Sequence, residues 1–270
     1  SNNINNAHNL INKESTKKFS EKIKIICIPT TSGTGAEITP FSTIWDKKNG
    51  LKYSIVADKL FRKIILDPKL TLGLPKKIII SSAIDALCQI LESSWSNKAN
   101  KLSLKSSFLG YKYFSKNINL ILEDLDNIEL REEMLISSFL SGVSISTANT
   151  TLCHSISYPL TAILSIPHGL ACGFSLVEVI KFNSKSNDKF LKNTLDITKC
   201  KNSEMLIGKI YDILTNIEFK SYMSQYLSVI EKNIDNLIPL TFNSRSSNNP
   251  VPASLHDVET IIKNSLESLK

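Results

Sequence analysis

The chain has 270 residues, 42% of them hydrophobic, which is enough for one or two cored domains. Its net charge of +7 comes from lysines spread along the chain rather than gathered in a stripe, which argues against a nucleic-acid surface and leaves a mild positive field suited to anionic substrates. No run approaches the roughly 18 apolar residues that cross a bilayer, and the polar first twenty residues have no signal-peptide core, so a cytoplasmic protein without membrane partners is expected.

Residues 1–22 read as a polar, partly helical entry segment. Residues 23–29, IKIICIP, are a β-branched apolar run of the kind buried on both faces of a parallel sheet. FSTIWD (41–46) and KYSIVA (52–57) read as two short strands joined by a turn at Lys48-Asn49-Gly50, and 62–66 as another strand ended by Asp67-Pro68. After Pro75 the period changes. Apolar residues recur at helical spacing over 76–95, 102–122, 128–159, 169–182, 203–216, 219–233 and 256–269. Strands first and helices afterwards divide the chain into an α/β part, 1–77, and an all-helical part, 78–270. Residues 241–252 form a polar loop before the last helix. Cys27, Cys88, Cys153, Cys172 and Cys200 are odd in number and lack a CxxC pair, so free thiols are expected rather than a zinc ribbon or a disulfide framework. The few strands available make a poor open sheet around the apolar run, so upstream residues of a nucleotide-binding domain are expected to be missing.

Three places carry candidate chemistry. Pro29-Thr-Thr-Ser-Gly-Thr-Gly-Ala-Glu37 follows a strand end, where α/β folds bind cofactors, and its small residues let a ligand approach the backbone. A tight Thr/Gly turn is the plainer reading of the same residues. Asp85 and Gln89 stand at i and i+4 on one helix face and aim two oxygens at one point. His154 and His168 lie on a helix and just beyond its end, so a turn between them brings both imidazoles together. Asp plus two His suits a divalent first-row metal with an open position. Each histidine read singly is more often a hydrogen-bonded core residue than a ligand.

The order of these motifs resembles a family. PTTSGTGAE, then Asp67-Pro68-Lys69-Leu70-Thr71, the IDAL helix and HSISYPLTAILSIPHGLA are similar to the iron-containing (group III) alcohol dehydrogenases over residues 23–270. Thr39 to Asp46, Ile90 to Trp95 and His154 to Cys172 are worded most like the phosphonoacetaldehyde reductases within it. The resemblance implies an α/β nucleotide-binding domain, here only its carboxyl-terminal part, followed by an all-helical metal-binding domain of the dehydroquinate synthase-like fold, with the active site in the cleft between them. The family's upstream GGGS loop is absent from these 270 residues, so the chain reads as a fragment whose own cofactor binding is open.

By the same resemblance, Thr30, Thr31, Thr34 and Thr39 contact NAD(H) or NADP(H), Lys52 reaches the cofactor ribose, and Asp85, Gln89, His154 and His168 hold Fe2+ or Zn2+. Two positions depart from the family: Gln89 and Tyr158 both stand where His is usual. An amide oxygen is a weaker ligand than imidazole, which leaves a Gln-ligated site, a three-ligand site with water, or a lost metal. Tyr158 is either a proton donor or relay near the substrate oxygen, or a helix-end tyrosine packed by Pro159. The implied reaction is reduction of phosphonoacetaldehyde to 2-hydroxyethylphosphonate, with Arg245 a candidate for the phosphonate. A homodimer is expected. The competing readings are a related dehydrogenase for a non-phosphonate aldehyde and a truncated, non-catalytic chain.

Overall fold

A computed structural model of the chain describes residues 25–46, 51–56, 62–185 and 188–270. The entry segment 1–22 and the turn at 48–50 lie outside the described residues. Among the described residues four short strands come first: β1 (Ile25–Cys27), β2 (Phe41–Asp46), β3 (Leu51–Val56) and β4 (Arg62–Ile64). β2 and β3 form an antiparallel pair in the register Phe41↔Val56 to Asp46↔Leu51. β1 and β4 pair in parallel, Ile25 opposite Arg62. The expectation that β1 is buried on both faces is not met. Ile26 is 58% exposed, and among the described residues only β4 pairs with this strand.

The helices follow: α1 (Lys76–Trp95), α2 (Lys101–Glu123), α3 (Ile128–Ala148), α4 (Leu152–Leu164), α5 (His168–Phe174), α6 (Leu176–Ser184), α7 (Lys192–Thr198), α8 (Ser203–Asn216), α9 (Phe219–Leu237) and α10 (Leu255–Leu269). α1 is the axis of the bundle. It touches α2, α3, α5 and α7, and Ile80, Ile84, Leu87, Ile90 and Leu91 are fully buried. That burial explains its composition. By length and apolarity α1 would pass for a membrane span, contrary to the expectation that no segment approaches one, but 89% of its apolar window is packed inside the protein.

Polar groups inside the bundle pair with one another, because an unsatisfied buried hydroxyl costs more than its hydrogen bond returns. Ser93 Oγ on α1 lies 2.9 Å from Ser107 Oγ on α2 and donates over 2.9 Å to Ser144 Oγ on α3, which ties three helices together. α2 and α10 open with capping boxes at Asn100/Ser103 and Ser254/Asp257.

The continuous helix expected over 128–159 is in fact two. The chain breaks at Asn149, whose φ of 59° and ψ of 171° cannot continue a right-handed helix. α4 then starts at Leu152, so His154 falls in a first helical turn rather than in a helix interior. The expected 169–182 segment is likewise divided, at Ser175. α7 was not anticipated.

Candidate metal and cofactor site

Three segments meet at one point. Asp85 stands midway along α1, His154 in the first turn of α4, and His168 at the first position of α5. Glycine makes the meeting possible. A Cβ on Gly169 would stand 1.7 Å from the Ser81 carbonyl oxygen, and one on Gly173 would stand 2.6 Å from Ile84 Cγ2. α5 therefore lies with its backbone against α1, one turn from Asp85. His154 Nε2 is 3.3 Å from Asp85 Oδ1 and His168 Nε2 is 4.0 Å from it. The two imidazoles are edge to face, with ring centroids 5.4 Å apart.

Asp85 is 3% exposed, and its Oδ1 is buried without a hydrogen-bond partner. Burial pushes the Asp85 carboxyl up, but His154, His168 and the Gln89 amide beside it bring it below its usual value. A buried carboxylate oxygen left unsatisfied among imidazole nitrogens is what a cation completes. The residues present therefore fit a divalent metal.

Sequence reasoning missed Glu92, one turn beyond Gln89 on the same face of α1. Its carboxylate is fully buried. Oε1 accepts from the Thr151 N–H at 3.0 Å, the Thr151 hydroxyl at 2.9 Å and the His154 N–H at 3.3 Å. It thereby caps the N-terminus of α4 from outside, where the free N–H groups and the helix dipole favour a negative charge. Oε2 takes the remaining contact, a short hydrogen bond with His154 Nδ1. With Nδ1 donating to Glu92, Nε2 is the ring nitrogen left on the Asp85 side, the one that would serve as a ligand once its proton is lost to a metal. The i, i+4, i+7 spacing of Asp85, Gln89 and Glu92 was the available signal.

Cys172, four residues after His168, was also missed. Its Sγ is buried and lies 3.8 Å from His168 Nε2. Asp85, His154, His168 and Cys172 each offer one donor atom, and the four atoms lie within 4.8 Å of one another. Burial pushes the Cys172 thiol up, but the two histidines outweigh it and bring it down to about 7. Burial likewise pushes His154 down, while Cys172, Glu92 and Asp85 raise it well above an ordinary histidine.

Gln89 is differently engaged. Its Oε1 accepts from the Ser141 hydroxyl at 2.8 Å, and its Nε2 donates to the Thr34 carbonyl at 3.4 Å. That second bond docks the PTTSGTGAE turn beside Asp85. Two glycines let the turn come so close. Gly35, at φ 56°, has Gly142 of α3 2.4 Å from where its Cβ would stand, and Gly33 has Ser82 at 2.7 Å. Thr30 and Thr34 are exposed, Thr31 is half-buried and Thr39 is buried. The Thr34 hydroxyl accepts from the Ala36 N–H at 3.2 Å and so also braces its own turn. Lys52 pairs with Trp45 across β2 and β3, and its side chain lies outside the described residues.

Tyr158 and Arg245 complete the surroundings. The Tyr158 ring stacks on His168 with centroids 6.3 Å apart. Arg245 is not a solvated loop residue. Its Nη1 donates to the Thr150 hydroxyl at 2.7 Å, and its guanidinium stands 5.5 Å from the Phe41 ring centroid and 5.7 Å from that of Tyr158. Burial pushes the Tyr158 hydroxyl up, and Arg245 beside it draws it part of the way back.

The profile of the Fe-containing alcohol dehydrogenase family, C-terminal, matches residues 79–266, and that of iron-containing alcohol dehydrogenase matches residues 2–68. The chain belongs to the iron-containing alcohol dehydrogenase family. Among curated relatives it is 34% identical over 162 residues to a phosphonoacetaldehyde reductase of Streptomyces viridochromogenes, covering 60% of this chain and 41% of that protein. It is 31% identical over 175 residues to a sulfoacetaldehyde reductase of Bilophila wadsworthia, covering 64% of this chain and 45% of that protein. A crystal structure of sulfoacetaldehyde reductase from Bifidobacterium kashiwanohense in complex with NAD+ superposes with a TM-score of 0.83 at 29% identity, covering 94% of this chain and 68% of the other. The chain thus spans less than half the length of these two curated relatives. An iron-containing alcohol dehydrogenase fold accounts for the order of elements, short strands and then a helical bundle. Members of the family use a nicotinamide dinucleotide and a metal.

Proposed function

We propose that the protein to which this chain belongs reduces a small aldehyde carrying an anionic group, phosphonoacetaldehyde first among them, with NADH or NADPH. The observation that carries this reading is the position of Arg245. Its guanidinium lies over Tyr158, which stacks on His168, so a fixed cation stands within one side chain of the Asp85–His154–His168 cluster. A phosphonate or sulfonate end on a short aldehyde would find its counter-charge there, since the planar fork of arginine pairs with two of its oxygens at once. The names of the two relatives above, a phosphonoacetaldehyde reductase and a sulfoacetaldehyde reductase, support the same substrate class.

Asp85, His154 and His168 would hold a divalent ion, Fe2+ or Zn2+. When bound, the ion supplies Lewis acidity at a carbonyl oxygen and the reduced nicotinamide supplies hydride. The chain's own residues do the rest. Thr30, Thr31 and Thr34, on the turn held by Gln89, position the cofactor beside Asp85, with Thr39 and Lys52 supporting it. Glu92 keeps His154 in its ligand tautomer. Arg245 binds the anionic end and so fixes which carbon faces the cofactor. Tyr158, whose hydroxyl stays protonated at neutral pH, holds a proton for the alkoxide oxygen.

The test is turnover of phosphonoacetaldehyde, sulfoacetaldehyde, butyraldehyde and lactaldehyde. A kcat/KM for phosphonoacetaldehyde at least tenfold above the uncharged aldehydes is expected. Equal rates on all four sink the anionic assignment, and preference for sulfoacetaldehyde replaces phosphonate by sulfonate.

A further inference from the structure

We infer that Cys172 is a metal ligand, which makes the centre an Asp85–His154–His168–Cys172 site in which Gln89 holds the cofactor turn instead of the ion. The inference rests on the metal reading above and adds the identity of the fourth donor.

The geometry assigns the four positions as follows. His154 Nε2 to Asp85 Oδ1 is 3.3 Å, His168 Nε2 to Asp85 Oδ1 is 4.0 Å, and His168 Nε2 to Cys172 Sγ is 3.8 Å. Bond lengths of about 2.0 Å to oxygen and nitrogen and about 2.3 Å to sulfur give tetrahedral ligand separations of roughly 3.3–3.6 Å. The Asp85–His154 edge matches that of a four-coordinate ion, and the other two, with all four donors within 4.8 Å of one another, need a contraction of a few tenths of an ångström or more to close on one. Cys172 and His168 share one turn of α5 at i and i+4, so both face the same point, and that turn is fixed to α1 by Gly169. The sulfur is fully buried and, among the described residues, forms no disulfide.

Gln89 has other work. Its oxygen is taken up by Ser141 at 2.8 Å and its amide by the Thr34 carbonyl. Turning that oxygen to an ion would break the Ser141 bond and loosen the docking of the turn. A thiolate in place of the amide also changes the metal preference, because sulfur favours softer ions, so the site is expected to select Zn2+ over Fe2+ more strongly than an all-nitrogen-and-oxygen set does.

Cobalt substitution tests this without reference to activity. Co2+ titrated into the metal-free chain should give visible d–d bands together with an intense near-ultraviolet thiolate-to-cobalt band. The thiolate band should persist in Gln89→Ala and vanish in Cys172→Ser, while the d–d bands remain in both. Visible bands with no thiolate band in the unsubstituted chain overturn the assignment of Cys172 and leave the metal reading standing. Absence of any cobalt binding overturns both. X-ray absorption of the zinc-loaded, unsubstituted chain provides the answer if Cys172→Ser does not fold. One sulfur at about 2.3 Å is expected, and a shell of oxygen and nitrogen alone refutes it.

Discussion

Glu92→Gln separates the fold of this site from its chemistry. The substitution keeps the shape and one acceptor oxygen. That oxygen, placed where Oε1 stands, still receives the Thr151 N–H, the Thr151 hydroxyl and the His154 N–H. The new NH2 group then faces His154 Nδ1, which must become an acceptor. The ring then keeps its proton on Nε2, facing Asp85 Oδ1 3.3 Å away. The metal-free protein thus exchanges charge-assisted bonds for neutral ones, at a cost of about 1–2 kcal/mol. The metal-bound form loses more, because the Nε2 lone pair is gone. Removing an outer partner of a ligating histidine costs about 10–100-fold in affinity, or about 1.4–2.8 kcal/mol. Zinc competition against a chromophoric chelator measures the second effect, and thermal unfolding of the metal-free protein the first. Zinc affinity within threefold of the unsubstituted protein would refute the claim that Glu92 sets the His154 tautomer. Glu92→Ala is a poorer probe. It leaves four donors, the His154 Nδ1 among them, without their acceptor at about 1 kcal/mol or more each, so a fall in stability is expected before metal is added.

Gly169→Ala should unfold or shift α5, since its Cβ would stand 1.7 Å from a backbone carbonyl that no rotamer change can move. A stability loss of about 3 kcal/mol or more, beyond ordinary overpacking, is expected in denaturant titration, together with loss of zinc binding. Arg245→Leu should lower kcat/KM for phosphonoacetaldehyde by about 10–150-fold, the worth of a charge-assisted bond of about 1.5–3 kcal/mol, and leave butyraldehyde within a few-fold; equal losses on both substrates would make Arg245 a structural residue of the loop. Tyr158→Phe should lower kcat with little change in KM, and an unaffected kcat removes it from proton delivery. Burial pushes the Glu37 carboxyl up, so the folded chain holds this proton more tightly than the unfolded one. The stability that the proton brings is full at pH below the ordinary carboxylate value and is lost as pH rises through the folded value. Glu37→Gln does not titrate, so its melting temperature should exceed that of the unsubstituted protein at pH 8 and match it at pH 4.

Much of this protein was legible without its structure, and what was legible is local. The apolar period over 76–95 and 203–216 marks α1 and α8 to the residue, because a helix face repeats within the chain that makes it. Side-chain spacing likewise put Asp85 and Gln89 on one face of α1. Only the tertiary structure decided the rest. The α3–α4 break at Asn149, which a continuous apolar period conceals, leaves the first N–H groups of α4 free for Glu92, 59 residues earlier. Whether Gln89 faces an ion or a cofactor turn depends on Ser141 and Thr34, on two other segments. Cys172 gained its histidine neighbours because Gly169 lets α5 touch the backbone of α1. Periodicity names the face a side chain occupies. The approach of backbones distant in sequence, set here by glycines and by buried polar groups needing partners, determines what that face meets.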